Sequence, residues 1–145
     1  MEENNVMQVV DKSEEMALSL AGEKKSSYTS LGNTTNEEKQ ILYKAMSNPD
    51  KRLGDCINQV IYAKDLFMEM VDMTNSETGE VTSCPRIVIV DADNVSYQSV
   101  SFGIYNALKR VISVFGTPTW EEAIPLKVIQ VTRGEKKMLS LDVQF

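Results

Sequence analysis

The chain contains no histidine, and this absence excludes more functions than any motif in the sequence indicates. Ser-His-Asp and Cys-His nucleophile systems, imidazole proton shuttles and histidine-based zinc sites all require that side chain. Only 2 cysteines are present, too few to make a structural zinc site by themselves. The sequence therefore predicts no metal site and no cofactor.

Sequence motifs for nucleotide-dependent enzymes are also missing. The chain has no G-x-x-x-x-G-K-[ST] loop and no G-x-G-x-x-G after a predicted strand. Its carboxylate pairs, Glu14-Glu15, Glu37-Glu38 and Glu121-Glu122, are neighbours along the chain and are best explained as solvated surface charge. We expect a protein that is not an enzyme.

Long apolar runs are lacking as well. No stretch approaches the roughly 20 residues of a membrane-spanning helix, and the first five residues do not resemble a signal peptide. Cys56 and Cys84 are predicted to be free thiols, buried or half-buried, because the expected hairpin register places Cys84 opposite about Met70 and far from Cys56. These features predict a cytoplasmic protein that does not contact a membrane.

The pattern that is present, from Cys56 to Phe145, is dominated by strands. Residues 57–73 alternate apolar and polar side chains, and the alternation changes parity at Lys64-Asp65, which predicts a bulge. Turn-forming residues then lead into a second strand over 81–91, rich in β-branched residues, and a short third strand is predicted over 95–101.

A helix is predicted after the third strand. Ser101 can cap its start and Gly116 can close its end. Its apolar residues recur with a period of 3.6 and share one face: Ile104, Leu108, Val111, Ile112 and Phe115. Two further strands, 126–132 and 138–143, form a hairpin around Arg133-Gly134-Glu135. The order β-β-β-α-β-β is that of the five-stranded OB-fold barrel, with another small β barrel or an α+β sandwich as the alternatives.

The N-terminal third has a different composition. Residues 1–33 are rich in Glu, Ser, Asn and Lys and are predicted to be a flexible tail, whereas 34–145 are predicted to be the OB-fold domain. The domain begins with a short helix that Thr35 and Glu38 start as a capping box. Its apolar stripe is expected to dock on the barrel: Ile41, Leu42, Ala45 and Met46. In the tail, Val6, Val9 and Val10 offer an apolar anchor for a neighbouring subunit, which predicts a homo-oligomer.

Charge and aromatic placement suggest a nucleic-acid site despite the net charge of -6. The stretch from Lys109 to Lys137 is basic, and phosphates respond to the local potential rather than to the total charge. Several aromatic residues on predicted strands and loops offer stacking surfaces for single strands. The candidate DNA-binding residues are Tyr62, Lys64, Arg86, Tyr97, Gln98, Ser99, Phe102, Tyr105, Trp120, Arg133, Lys136 and Lys137.

Tyr97 is the favoured stacking residue, because residues 96–101 look too polar for an ordinary buried strand. Phe67, Phe115 and Phe145 are instead expected in the core. Tyr105 and Trp120 suit either role, since a small barrel needs large residues to close its ends.

Four separated motifs carry a resemblance to a known family: Pro85-Arg86-Ile87-Val88, the stretch 96–101, the stretch 115–122 and Arg133-Gly134-Glu135-Lys136-Lys137. From about Asn48 to Phe145, the chain resembles the single-stranded DNA-binding proteins of phages and conjugative plasmids of Gram-positive bacteria, and most closely a plasmid-encoded member. The resemblance implies an OB fold that binds single-stranded DNA during plasmid transfer or replication, with transfer or replication proteins as possible partners. The chain lacks the Gly/Pro-rich linker and acidic tip of housekeeping bacterial proteins of this kind.

Three functions follow from the sequence. The favoured one is sequence-tolerant binding of single-stranded DNA along the face of the first three strands, flanked by the turns near 75–79 and 133–137. The alternative is a protein-interaction module of a transfer or phage assembly. An oligosaccharide- or small-ligand-binding barrel is disfavoured, because the chain has a single Trp.

Overall fold

The computed structural model describes residues 27 to 144 and builds most of them into strands. In chain order the elements are β1 (Ser27–Thr29), α1 (Asn36–Ser47), β2 (Lys51–Arg52), a 3-10 turn (Leu53–Asp55), β3 (Val60–Thr74), β4 (Val81–Asp91), β5 (Ser96–Ser99), α2 (Phe102–Phe115), β6 (Ile124–Arg133) and β7 (Lys136–Val143).

The strands form one curled sheet in the order β2-β5-β4-β3-β6-β7, with β1 paired to β3. All pairings are antiparallel except that of β2 with β5. Elements β3 to β7 with α2 follow the predicted order β-β-β-α-β-β, so the OB-like fold is confirmed, as an open half-barrel. The strands β1 and β2 were not predicted, and the third strand is shorter than expected, spanning only Ser96–Ser99.

The predicted bulge lies where β3 changes partners. The register of β3 against β4 shifts between Ala63 and Asp65, so Lys64 is the extra residue. Before the bulge β3 pairs with β6, and after it β3 pairs with β1. The shift keeps the apolar side chains on the core side of β3: Ile61, Ala63, Leu66 and Met68 are all buried.

Helix α2 packs into the concave side of the half-barrel. The Ser101 hydroxyl accepts hydrogen bonds from the backbone N–H groups of Gly103 and Ile104, at 3.1 and 3.4 Å, and so caps the helix as predicted. The predicted apolar face is buried except at its end. Phe115 was expected in the core, but it is 38% exposed, because the last turn of α2, residues 113 to 115, is exposed as a whole.

Helix α1 docks on the convex side of the sheet, as predicted. The Thr35 capping box is present, and Ala45 is fully buried in a small cluster against β3 and β4. Ile41 and Leu42 pack against this cluster. Met46 was expected in the same stripe but is 47% exposed, since it faces away from the sheet.

The segment before α1 takes part in the fold over the residues that the structure describes. Ser27 to Thr29 pair with β3 opposite Glu69 to Phe67, although the sequence placed them in the tail. The Ser30 hydroxyl donates a hydrogen bond of 2.8 Å to the buried carboxylate of Asp65 at the bulge. Val6, Val9, Val10 and Phe145 lie outside the described residues, so the predictions made for them stay predictions.

The two cysteines are buried and free, as predicted. Cys84 lies opposite Val71, one residue from the expected register. None of the helices within residues 27 to 144 has the length and apolar character needed to span a bilayer.

Candidate nucleic-acid interface

The centre of the predicted DNA-binding face is covered by the protein itself. On the convex side of the sheet, Phe67, Val88 and Val90 are buried beneath α1 and Leu31. The sequence predicts DNA along the face of the first three strands, and a helix that docks on the barrel at no specified place. Because α1 occupies the middle of β3 and β4, a DNA strand cannot lie there in this structure.

Tyr97 is a core residue in the structure. Its side chain is 8% exposed and belongs to the main core cluster, while its hydroxyl donates a 2.9 Å hydrogen bond to Asp91. Burial and this hydrogen bond raise the pKa of the Tyr97 phenol to about 12. The polar groups of Ser96 and Tyr97 make hydrogen bonds within the protein, such as that of Ser96 to Asp50, and are not free to bind a ligand.

Tyr105 and Trp120 are also buried in the main core. The Trp120 indole N–H donates a 2.9 Å hydrogen bond to the carbonyl of Gly116 at the end of α2. The Tyr105 ring contacts Phe102 edge to face, with 6.5 Å between ring centroids. Rings in these positions close the ends of the half-barrel and leave little surface for a base.

Two of the candidate aromatic residues are accessible. Tyr62 on β3 is 57% exposed, and Phe102 at the start of α2 is 48% exposed. Exposed rings retain a free face on which an unpaired base can stack. The structure describes no contact between Tyr62 and Phe102, so it does not join them into one surface.

The half-buried polar candidates make bonds within the protein. Arg86 forms a 3.0 Å ion pair with Glu69 and donates a longer bond of 3.4 Å to Gln98. Lys64 donates to the side-chain oxygen of Asn94 at 3.2 Å. The Ser99 hydroxyl accepts from the backbone N–H of Ser101 at 3.1 Å. The geometry brings Arg86, Gln98 and Ser99 to one edge of the sheet and leaves Lys64 at the bulge.

That edge adjoins the opening of the half-barrel. Within the described part of the chain β7 pairs only with β6, so β5 and β7 do not close the barrel by hydrogen bonding. Leu139 of β7 bridges the opening. A Cβ on Gly54 would lie 3.9 Å from the Leu139 side chain, whereas one on Gly103 would lie only 2.0 Å from the Leu139 carbonyl oxygen. Glycine at position 103 therefore allows α2 to begin directly against β7.

A cavity lies on each side of this contact. The larger one, of about 510 Å³, is lined by Arg52, Gly54, Asp55, Gln98, Ser99 and Val100, and we call it the β5 cavity. The smaller one, of about 220 Å³, lies between α2 and the β6–β7 hairpin, and we call it the helix cavity. Val100 lines the first and Gly103 lines the second, so the backbone runs from one cavity to the other over residues 100 to 103, and Phe102, on this stretch, has an exposed ring. We call the two cavities and residues 98 to 103 together the seam.

Unpaired positive charge lines the seam. Arg52 lies in the β5 cavity, and Arg110 and Arg133 lie in the helix cavity. All three are exposed and none forms an ion pair with any residue from 27 to 144. Arg133 also begins the predicted basic turn, where it lies opposite Lys136 in the hairpin register, and Lys137 follows opposite Thr132. Asp55 also lines the β5 cavity but forms no ion pair with Arg52, and no acidic side chain lines the helix cavity, so the three guanidinium groups are available to phosphates.

Sequence reasoning did not select Arg52, Asn106 or Arg110 as site residues. Arg52 is in a two-residue strand that is too short for any periodic signal. Phe102, Asn106 and Arg110 repeat at i, i+4 and i+8, so they share one face of α2, opposite the core face. This spacing would have identified the helix side of the seam.

A metal centre is not formed within residues 27 to 144, where no three His, Cys, Asp or Glu side chains come together in a way that could hold an ion. What the seam offers is an exposed ring, two cavities and unpaired guanidinium groups. These are the elements with which proteins hold an unpaired, negatively charged strand.

Comparison with known proteins supports the same ligand. Searches of curated proteins and of solved structures return no match to this chain. A family model described as phage single-stranded DNA-binding protein matches residues 21–144. The match covers β1 and every element after it, including the seam, and the chain belongs to the Phi29 phage single-stranded DNA-binding protein family.

Proposed function

We propose that this chain is a cytoplasmic, sequence-tolerant single-stranded DNA-binding protein that acts in the transfer or replication of a conjugative plasmid. Its family is one of single-stranded DNA-binding proteins, and the plasmid role rests on the resemblance of its motifs to plasmid-encoded members. The free thiols of Cys56 and Cys84 are in keeping with a reducing compartment.

We place the DNA strand along the seam. The observation that carries this placement is the exposed Phe102 on the stretch of chain that joins two cavities lined by unpaired arginines. Stacking on an aromatic ring is tolerant of sequence because every base has a π face, and guanidinium groups follow the backbone. The covered centre of the convex face, under α1, favours this route over the middle of β3 and β4.

A titration of a fluorescent oligothymidine at two salt concentrations tests the function. Binding dominated by phosphates weakens steeply as salt rises, with a logarithmic slope of roughly 0.7 per phosphate contact on single strands. A random-sequence strand of equal length is expected to compete about as well as oligothymidine. Absence of binding at low salt would refute the proposal, and salt-independent binding of a protein partner instead would favour the interaction module.

Matched variants test the placement. Arg52→Gln removes an unpaired charge from the seam, whereas Lys39→Gln removes one from the exposed surface of α1. We expect the first to weaken oligothymidine binding and to lower the salt slope, and the second to change neither. Equal losses in both variants would show a diffuse charge effect and would argue against the seam.

The plasmid role needs a test in cells. Deleting the gene from the element that encodes it should lower the transfer frequency or the copy number of that element. If neither the transfer frequency nor the copy number changes, the plasmid role is refuted and the proposed DNA binding stands alone.

We further propose that Val6, Val9 and Val10 link subunits into a homo-oligomer on the strand. An arm that reaches a neighbouring subunit adds a protein contact to each DNA contact and so makes binding cooperative. Light scattering coupled to chromatography, with and without a long single strand, compares the full chain with a triple Val→Ser variant. Equal masses and equally steep isotherms would contradict the proposal.

A further inference from the structure

The helix cavity is small and has two kinds of wall. Its volume of about 220 Å³ lies below the roughly 300–1,000 Å³ typical of sites for drug-sized ligands. Asn106 and Arg110 of α2 form one wall, and Met138, Leu139 and Ser140 of β7 form part of the other. A cavity of this size can hold a single planar group but not a longer stretch of a ligand chain.

Two polar side chains that line the cavity form no hydrogen bonds within the described part of the protein. The side chains of Asn106 and Ser140 make no hydrogen bond to any residue between 27 and 144. An amide offers two donors and an acceptor, and a hydroxyl offers both functions, so together they can match the polar edge of any base. Met138 and Leu139 supply apolar contact for the face of such a ring, and the thioether is well suited to aromatic partners.

The positive charge that lines the cavity favours an anionic ligand. Arg110 and Arg133 both line it, and no acidic side chain does. Guanidinium groups pair with phosphates in a bidentate manner and stack on planar rings. Two cations at one small cavity disfavour a metal ion and favour a ligand that combines a ring with a phosphate.

We propose that the helix cavity holds one base of the bound strand, with Arg110 and Arg133 on the phosphates that flank it. This inference rests on the proposed function and adds a defined base-binding site to it. Phe102 is exposed and precedes Gly103, which lines the cavity, so in this proposal its ring stacks the neighbouring base while the strand directs one base into the cavity.

The test compares two ligands of equal length, oligothymidine and an abasic sugar-phosphate strand, on the full chain. Asn106→Leu narrows the cavity and removes its amide. Ser113→Leu makes a similar change at an exposed position of the same helix, outside the cavity. We expect Asn106→Leu to lose about tenfold in affinity for oligothymidine, the range of one stacked base, and to bind the abasic strand as the unaltered protein does. Ser113→Leu should match the unaltered protein on both strands.

A second pair of variants tests the arginines. Arg110→Gln should weaken the binding of both strands, because both carry phosphates, whereas Lys109→Gln on the neighbouring position should have the smaller effect. If Asn106→Leu does not fold, as judged by its thermal midpoint, Ser140→Leu fills the cavity from the opposite wall.

The outcomes separate the two levels of the proposal. If the unaltered protein binds oligothymidine and both cavity-filling variants bind it equally well, the base site is refuted and the proposed function stands. An equal loss on intact and abasic strands would also refute a base site, because the cavity would then act only on the backbone. If the unaltered protein binds neither strand, the proposed function fails and the base site fails with it.

Discussion

The phenol of Tyr97 on β5 donates a 2.9 Å hydrogen bond to the carboxylate of Asp91 at the end of β4, and both residues are buried. The other carboxylate oxygen of Asp91 accepts hydrogen bonds from the backbone N–H groups of Asp93 and Val95, at 2.8 and 2.9 Å. One acidic side chain thus holds the turn between two strands and anchors the ring that fills the core beside them. The tyrosine hydroxyl is the donor to the second carboxylate oxygen, and a buried oxygen that loses its hydrogen-bond partner is costly.

Tyr97→Phe is therefore expected to reduce stability and not DNA binding. The change keeps the ring and removes the donor, which should lower the free energy of unfolding by about 1–3 kcal/mol. Urea unfolding measures this loss, and oligothymidine affinity should stay within twofold. Tyr62→Phe, at an exposed position, is the control and should alter neither quantity. If Tyr97→Phe keeps its stability but binds DNA more weakly, the prediction is wrong and the Tyr97 hydroxyl takes part in DNA binding.

Stability is also expected to fall in alkaline solution. Burial raises the pKa of both Tyr97 and Tyr28 to about 12, from the ordinary value of 10.0, with nearby carboxylates adding to the shift. Because the folded-state pKa exceeds the unfolded one, the contribution is complete below pH 10 and is lost as the pH rises through about 12. Unfolding free energies measured between pH 9 and 12 should fall more steeply for the unaltered protein than for Tyr97→Phe. Parallel curves would show that the Tyr97 phenol ionises equally easily in the folded and unfolded chain.

The order of the main elements was predictable because each one has a local signal. The parity change at Lys64-Asp65 marks the bulge, the 3.6 period marks α2, and Thr35 with Glu38 marks α1. Strands β1 and β2 span three and two residues, which is too short to show an alternating apolar and polar pattern. Their place in the sheet is decided by tertiary pairing.

The candidate site was less predictable, because composition does not show which side of a strand is covered. The polar residues of β5 suggested an open face around Tyr97, but Ser96 and Tyr97 are buried and donate their hydroxyl hydrogen bonds to Asp50 and Asp91. Phe102, predicted as a DNA-binding residue, is exposed at the start of α2, ahead of the buried stripe, and its role stays a prediction. The seam depends on the approach of Leu139 to Gly103, a long-range contact that no local pattern encodes.

Removing the exposed ring at the seam should weaken DNA binding without unfolding the protein. Phe102→Ala is expected to cost about 1–3 kcal/mol of oligothymidine affinity, the usual value of one stacked base. Val114→Ala, on the exposed end of the same helix, is the control and should leave affinity unchanged. Both variants should remain folded, because Val114 is 75% exposed and Phe102 is about half exposed, although Phe102→Ala also loses the ring contact with Tyr105. Unchanged affinity in a folded Phe102→Ala protein would remove the ring from the proposed route.

The basic turn between β6 and β7 should contribute to the salt dependence of binding. Arg133, Lys136 and Lys137 are all exposed and make no ion pair with residues 27 to 144, so a bound strand can place phosphates beside each of them. Replacing all three by Gln should flatten the slope of log affinity against log salt by about 2 units, at roughly 0.7 per contact on single strands. Lys137→Gln alone should flatten it by about a third of that amount, while Lys39→Gln on α1, the matched single-charge control, should leave it unchanged. Oligothymidine titrations at four salt concentrations give these slopes. If the triple variant keeps the slope of the unaltered protein, the three charges do not contact phosphates, which would remove the turn from the proposed route and contradict the phosphate contact proposed for Arg133 at the helix cavity.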